Sequence, residues 1–345
     1  MEHCGILQNL KTLHILLVYL VLHSFIMNLM IVCSICSFIV HLITGLIDTM
    51  ATARASLLAP LLSRCLTKGL LGRNYSSLSQ ECVSLTHLDG DRQGVAVLSM
   101  KRHEAKNAIS RQMAAEMKEA VSAVRFDNDV RVVVVRSEVP RVFCAGADLK
   151  ERAKMKAEEV GPFVAGLRQL VSDLEELPQP TVAALDGAAL GGGLEMALAC
   201  CLRTAASTAK LGLVETSLGI IPGAGGTQRL PRLIGLCQAK ELIYTGKILD
   251  GKQAESYGLV NYAVEQNENG DAAYHKALEL AEQIAGQGPI AVRMAKLAIN
   301  KGMQVDLHSG MAYEESYYSR VIPTKDRIEG LTAFREKRRP QYKGE

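Results

Sequence analysis

Thr181-Val-Ala-Ala-Leu-Asp-Gly-Ala-Ala-Leu-Gly-Gly-Gly-Leu-Glu-Met-Ala-Leu-Ala-Cys200 is the stretch whose reading decides the fold. Its apolar opening, glycine-rich middle and alanine-rich close predict a buried strand, a turn and a helix, with Glu195 in the first helical turn. Gly191, Gly192 and Gly193 leave the backbone uncovered and lead into helix N–H groups that lack intrahelical acceptors. Such an end suits developing negative charge. A carboxylate directly after it repels phosphate, so the pattern fits oxyanion donors beside an acid or base better than anion binding alone. Taken alone, the run reads more simply as a close-packed helix start with Glu195 solvated, and the rest of the chain has to decide.

The 345 residues are 48% apolar, enough for one large core or two smaller ones. Net charge is +3, and beyond residue 80 the 34 basic residues are matched by 34 acidic ones. A balanced body without a basic block is not that of a general nucleic-acid binder. The nine cysteines are scattered, and Cys144, Cys200, Cys201 and Cys237 have apolar neighbours, which predicts reduced, buried thiols. Cys33 and Cys36 form a CxxC inside a hydrophobic run with no second pair, so no metal is assigned to them.

Residues 13–47 are almost continuously apolar and long enough to span a bilayer. Residues 50–80 begin at a methionine and carry arginines, serines and leucines with Glu or Asp absent until position 81, the composition of a mitochondrial transit peptide. A transit peptide is read at the N-terminus, so the two segments compete. The expected organisation is an alternative or mispredicted extension at 1–49, a transit peptide at 50–80, a core at 81–270 and a helical region at 271–345. A membrane partner is expected only if 13–47 is present in the mature chain.

Within the body, the apolar runs on either side of Asp89-Gly90-Asp91 predict a hairpin. A polar loop at 101–108 precedes an amphipathic helix at about 110–126, with Met113, Met117, Val121 and Val124 on one face. Val130-Arg-Val-Val-Val-Val-Arg136 is a β-branched buried strand, and strand, crossover helix and strand imply a sheet whose loops gather at one edge. One charged helix is expected from Leu149 to about Leu177, ended by Pro178 and Pro180. Further helices are expected near 236–245, 250–257, 271–285, 290–302 and from about 306 onward.

Ala145-Gly146-Ala147-Asp148 and Gly191-Gly192-Gly193 each offer a backbone N–H after an apolar segment, and two donors are the minimum for an oxyanion hole. Glu195 and Glu215 lie in apolar surroundings that raise carboxyl pKa values toward neutrality, as a base and an acid require. Their separation of 20 positions says nothing about distance in space. Gly223-Ala-Gly-Gly-Thr-Gln lacks the Lys-Ser/Thr end of a phosphate loop and reads as a turn before a helix. Asp148 reads as a helix N-cap, and the histidines show no metal-ligand spacing.

Together these residues resemble the enoyl-CoA hydratase/isomerase (crotonase) superfamily over roughly residues 83–345. Phe143-Cys-Ala-Gly-Ala-Asp-Leu-Lys-Glu is similar to that family's first oxyanion motif and Leu190-Gly-Gly-Gly-Leu-Glu to its second. The resemblance implies an α/β crotonase-like spiral of ββα units with a C-terminal helical trimerisation region. It implies the N–H groups of Ala147 and Gly192 as oxyanion donors, Glu195 and Glu215 as catalytic carboxylates, and a CoA site at Lys101, Ala105, Lys106, Asn107, Ala145, Asp148, Leu149 and Lys343. It implies a mitochondrial matrix hydratase acting on an acyl-CoA substrate with no cofactor or metal, assembled as a homotrimer or a dimer of trimers. Asp148-Leu-Lys-Glu-Arg-Ala-Lys-Met and Glu336-Lys-Arg-Arg-Pro-Gln-Tyr-Lys-Gly-Glu are most like the methylglutaconyl-CoA hydratase type and its mitochondrial neighbours. Lys150, Arg152, Lys154 and Lys156 are candidates for holding a distal acyl carboxylate, against the plainer reading of a solvated charged face.

Alternatives come from two classes. An isomerase on the same fold can work with one carboxylate at the second position, and retention of both favours hydration. Some members of the methylglutaconyl type bind RNA through a lysine-rich helix. Here the corresponding helix has only Arg111, Lys118 and Arg125, offset by Glu116 and Glu119, which gives little support to RNA binding or a scaffold role. Cys201 stands where the family usually has aspartate, which puts local order around Arg203 in question.

Overall fold

The computed structural model describes residues 81–345; the hydrophobic run, the transit-like segment and the Cys33–Cys36 pair lie outside the described residues. The expected hairpin is present, with β1 (Val83–His87) antiparallel to β2 (Val95–Met100) in the register Val83 to Met100. Ser110 caps α1 (Arg111–Phe126) by accepting the Met113 N–H at 3.1 Å. The helix buries the four residues its period assigns to one face, Met113, Met117, Val121 and Val124. β3 (Val132–Ser137) then lies parallel to β2, buried on both sides over its valines, as a central parallel strand must be.

β4 (Val142–Cys144) leads to a helical region that departs from expectation. In place of one helix there are two, α2 (Leu149–Arg152) and α3 (Ala157–Glu175). The break falls where Ala153-Lys-Met-Lys156 breaks the apolar period, and the new helix starts with the Lys156 N–H bonded to Glu159 Oε2 at 2.9 Å.

A second departure lies inside the deciding stretch. Its apolar opening forms two strands, β5 (Thr181–Leu185) and β6 (Ala188–Leu190), in different sheets. The chain bends at Asp186-Gly187, where glycine is required because a side chain on Gly187 would stand 1.9 Å from the Arg141 carbonyl carbon. Asp186 accepts the N–H groups of Ala273 and Tyr274 at 2.7 and 3.0 Å, tying the bend to a later helix.

After α4 (Gly192–Ala199) come β7 (Leu202–Ala206), β8 (Leu211–Gly212), a 3-10 turn (Glu215–Leu218), α5 (Gly226–Ile234), α6 (Leu236–Thr245), α7 (Gly251–Ser256) and β9 (Tyr262–Val264). The main sheet runs β1-β2-β3-β5-β7-β9, parallel except at the hairpin, and a small parallel sheet runs β4-β6-β8. α8 (Ala272–Ala285) covers one face of the main sheet, packing Ala277, Leu278 and Ala281 on Val95, Val132, Val134 and Val182. The other face holds the larger core, with α1, α3 and α4. α9 (Pro289–Gly302), α10 (Leu307–Val321) and α11 (Lys325–Glu336) complete the helical C-terminal region. Among the described residues no helix is long and apolar enough to cross a membrane.

Cys82, Cys144 and Cys200 are buried as reduced thiols, with Cys144 and Cys200 both pushed up to about 12 by burial. Cys237 corrects the expectation of burial: it is exposed at the start of α6, beside Leu236, which is 65% exposed. Apolar flanks there belong to an uncovered surface instead of the core.

Candidate active site

The site begins where the small sheet delivers two loops to one place. After β4 the chain passes Gly146 at φ +90° to Ala147, which bridges Ile109 in parallel. That bridge uses Ile109 N–H to Gly146 O (2.7 Å) and Asp148 N–H to Ile109 O (3.1 Å), so the Ala147 N–H is directed away from Ile109. After β6, Gly191 takes φ +52° and Gly192 opens α4, where its N–H has no intrahelical acceptor. A methyl group on Gly192 would sit 3.7 Å from the Ala147 nitrogen. The two loops interlock so closely that a methyl on Gly193 would stand 2.3 Å from Cys144 O. Two backbone donors on separate loops are thereby held side by side.

Glu195 sits in the first turn of α4 and is buried. Its Oε1 accepts the N–H groups of Ala224 (2.8 Å) and Gly226 (2.7 Å). The turn at 223–226 is clamped in its own right, with Arg168 donating to Gly223 O at 2.9 Å and Arg229 to Ala224 O at 2.9 Å while also pairing with Glu175 at 2.6 Å. Burial raises the Glu195 carboxyl above its ordinary range, opposed by the Gly226 and Ala224 N–H groups and by the Arg229 and Arg168 charges.

Glu215 opens the 3-10 turn after β8, and its Oε1 lies 3.1 Å from where a methyl on Gly191 would be. Its Oε2 is buried with no hydrogen-bond partner among the described residues. Burial pushes Glu215 up to about 7; its own N–H and Arg152 oppose that, and the Glu195 charge adds to it. Two carboxyl groups, one of which feels the other's charge, thus meet unlike surroundings, the arrangement that separates a proton acceptor from a proton donor.

The loop at 101–107 lies against this region. Ala145 N–H donates to Lys106 O at 3.1 Å, and Arg102 pairs with Asp148 at 2.8 Å. Asp148 caps α2, its Oδ1 accepting from Lys150 and Glu151, and stays below the usual carboxylate range because those bonds and Arg102 outweigh its burial. Asn107 is fully buried, its amide donating to Ser137 Oγ (2.8 Å) and Phe143 O (3.0 Å), so its side chain braces the loop from inside. Lys106, Ala145 and Leu149 are exposed nearby, Ala105 is half-buried, and Lys101 pairs with Glu81. Lys343 lies apart in the C-terminal segment, its N–H on Asp326 Oδ1 at 2.8 Å. Arg102, Arg168 and Arg229 are positioning residues that the sequence reading did not single out. The only local signal for Arg229 was its place at the end of the glycine turn.

At position 201 the cysteine is itself hydrogen-bonded, and Arg203 finds other partners. Cys201 Sγ accepts from Thr181 at 3.5 Å, and the buried Arg203 donates to Leu259 O (2.8 Å) and Cys200 O (2.7 Å) in place of a carboxylate. Among the described residues no group of three or more His, Cys, Asp and Glu is arranged to hold a metal ion.

The family of the Enoyl-CoA hydratase/isomerase description matches residues 90–345. The chain is 56% identical over 275 residues to the human mitochondrial methylglutaconyl-CoA hydratase, covering 79% of this chain and 81% of that one. It is likewise 56% identical over 262 residues to the mouse mitochondrial enoyl-CoA hydratase domain-containing protein 2, covering 76% and 88%. The crystal structure of an enoyl-CoA hydratase from Bacillus anthracis superposes with a TM-score of 0.73 at 48% identity, over 76% of this chain and all of that one.

Proposed function

The chain belongs to the enoyl-CoA hydratase/isomerase family, and on that premise we propose that its site adds water across the double bond of a 2-enoyl-CoA thioester. The observation that carries this reading is the pair of buried carboxyl groups, Glu195 and Glu215, beside the Ala147 and Gly192 nitrogens. The two N–H groups receive the thioester oxygen and hold the enolate charge that forms when the β-carbon is attacked. Glu195 takes a proton from water, whose hydroxyl bonds to the β-carbon. Glu215 delivers a proton to the α-carbon, and the enolate electrons return to form that C–H bond. A carboxyl near 7 is suited to this donation at neutral pH.

Crotonyl-CoA hydration followed by loss of enoyl absorbance tests the proposal. Glu195→Gln should lower kcat by about a thousandfold. Hydration near the wild-type rate, with only double-bond shifting altered, would instead establish an isomerase. The names of the relatives support 3-methylglutaconyl-CoA as the acyl group, which a direct comparison with crotonyl-CoA decides. The loop at 101–107 with Ala145, Asp148 and Leu149 is proposed to receive the CoA moiety, and Lys343 to reach it from the C-terminal segment.

The C-terminal helices support assembly. α10 buries none of its residues, and Met303, Leu307, Met311 and Phe334 are widely exposed. A helix without a buried face is not stable on its own in water, so these surfaces call for a partner. A homotrimer, or two trimers paired, supplies it. The relatives' names also support a mitochondrial location, and the transit-like composition of 50–80 supports reading it as the matrix. On α1, Arg111 pairs with Glu151 and Glu159 and Arg125 donates to the Asp173 carbonyl, which leaves little free charge for RNA.

A further inference from the structure

Four basic residues follow the Ala147 donor: Lys150, Arg152, Lys154 and Lys156. The three lysines are exposed, whereas Arg152 is half-buried. α2 fixes its position, because Asp148 caps the helix and the Arg152 N–H closes its first turn on Asp148 O at 2.9 Å. Arg152 therefore stands one helical turn beyond the proposed oxyanion donor.

The arginines around it are engaged. Arg102 pairs with Asp148 and Glu104, Arg111 with Glu151 and Glu159, and Arg229 with Glu175, while Arg168 donates to Gly223 O. Among the described residues, the Arg152 guanidinium has no ion-pair partner within 4 Å and no hydrogen bond, and its charge is felt at Glu215. A half-buried guanidinium without an acceptor is five unused donors in a planar fork, shaped for a carboxylate.

The acyl chain provides one. With the thioester oxygen on the Ala147 and Gly192 nitrogens and the double bond at the two glutamates, the chain continues beyond the β-carbon past Glu215. A carboxylate at its far end would be the third acidic group in a site that already raises both glutamates, so an uncompensated anion is repelled there. Resting on the hydratase reading, we propose that Arg152 is a specificity residue that receives the distal carboxylate of a dicarboxylic 2-enoyl-CoA, selecting it over neutral enoyl chains.

The test compares kcat/KM for 3-methylglutaconyl-CoA with that for crotonyl-CoA in wild type, Arg152→Gln and Arg152→Lys. Loss of one partner of a desolvated charge pair corresponds to a fall of about 30-fold in the ratio of the two values for Arg152→Gln, carried by KM. Arg152→Lys should retain an intermediate preference. An unchanged ratio, or equal losses on both substrates, overturns the proposal. Wild-type enzyme alone gives a second reading: the distal acid should exceed its neutral carboxamide isostere by about the same factor, and a preference for the amide also overturns it. If wild type hydrates no enoyl-CoA, the hydratase reading itself has failed; if it hydrates both equally, only the role of Arg152 has.

Discussion

At the residue scale the site rests on unequal treatment of two carboxyl groups. Glu195 Oε1 accepts two backbone N–H groups, while Glu215 Oε2 accepts none. The direction of Glu215's shift has two consequences. As the proposed proton donor it must be protonated, so kcat for crotonyl-CoA should fall as pH rises through about 7, and Glu215→Gln should abolish that limb together with most of the activity. For stability, a carboxyl raised from 4.5 to about 7 holds its proton more tightly folded than unfolded. Its contribution is complete below 4.5 and lost as pH rises to about 7. Glu215→Gln, neutral throughout, should therefore gain on wild type by about 2 kcal/mol between pH 5 and pH 8, allowing for partial solvent screening. Thermal unfolding at the two pH values measures it, and a constant difference would count against the burial argument.

At the scale of elements, the site depends on contacts between pieces that are individually short. α4 approaches β4 so closely at Gly193 that the alanine variant must separate them, which should cost about 2 kcal/mol or more in urea unfolding and impair turnover as well. Gly166, on the exposed side of α3 with nothing within 4 Å of a new methyl group, is the contrast: Gly166→Ala should stabilise by roughly 0.5–1 kcal/mol. The clamp on the 223–226 turn is a third joint. Arg229→Met removes the donor to Ala224 O and the pair with Glu175, loosening the N–H groups that hold Glu195. We expect kcat per folded enzyme to drop about tenfold with KM little changed, the folded fraction being measured by circular dichroism because partial unfolding alone also lowers apparent kcat.

For the whole molecule, the question is what covers the C-terminal helices. Phe334 is 86% exposed and Leu307 81%, values that the proposed assembly should lower. Sedimentation equilibrium of the mature chain should give three or six copies. Phe334→Glu with Leu307→Glu should shift the mass toward one copy, and a wild-type monomer at micromolar concentration would refute the assembly. Elements whose patterning is local were legible beforehand: the Met113–Val124 face, the valine strand β3 and the helices of the last 75 residues follow from period and side-chain type. The division of the charged helix into α2 and α3 was not, because the break depends on what Asp148 and Lys156 bond to. The second strand within the deciding stretch was hidden for a similar reason, since β6 exists through its pairing with β4 and β8.

The sequence by itself determined the locally patterned elements, the two glycine turns and the two glutamates, since propensity, period and residue chemistry are carried by neighbours along the chain. Only the tertiary structure decided that Glu215 lies beside Gly191 within reach of the Glu195 charge, that Asn107 points inward as a brace, and that Arg152 has no partner among the described residues. Burial and Coulomb interactions act through space, and no spacing along the chain encodes them.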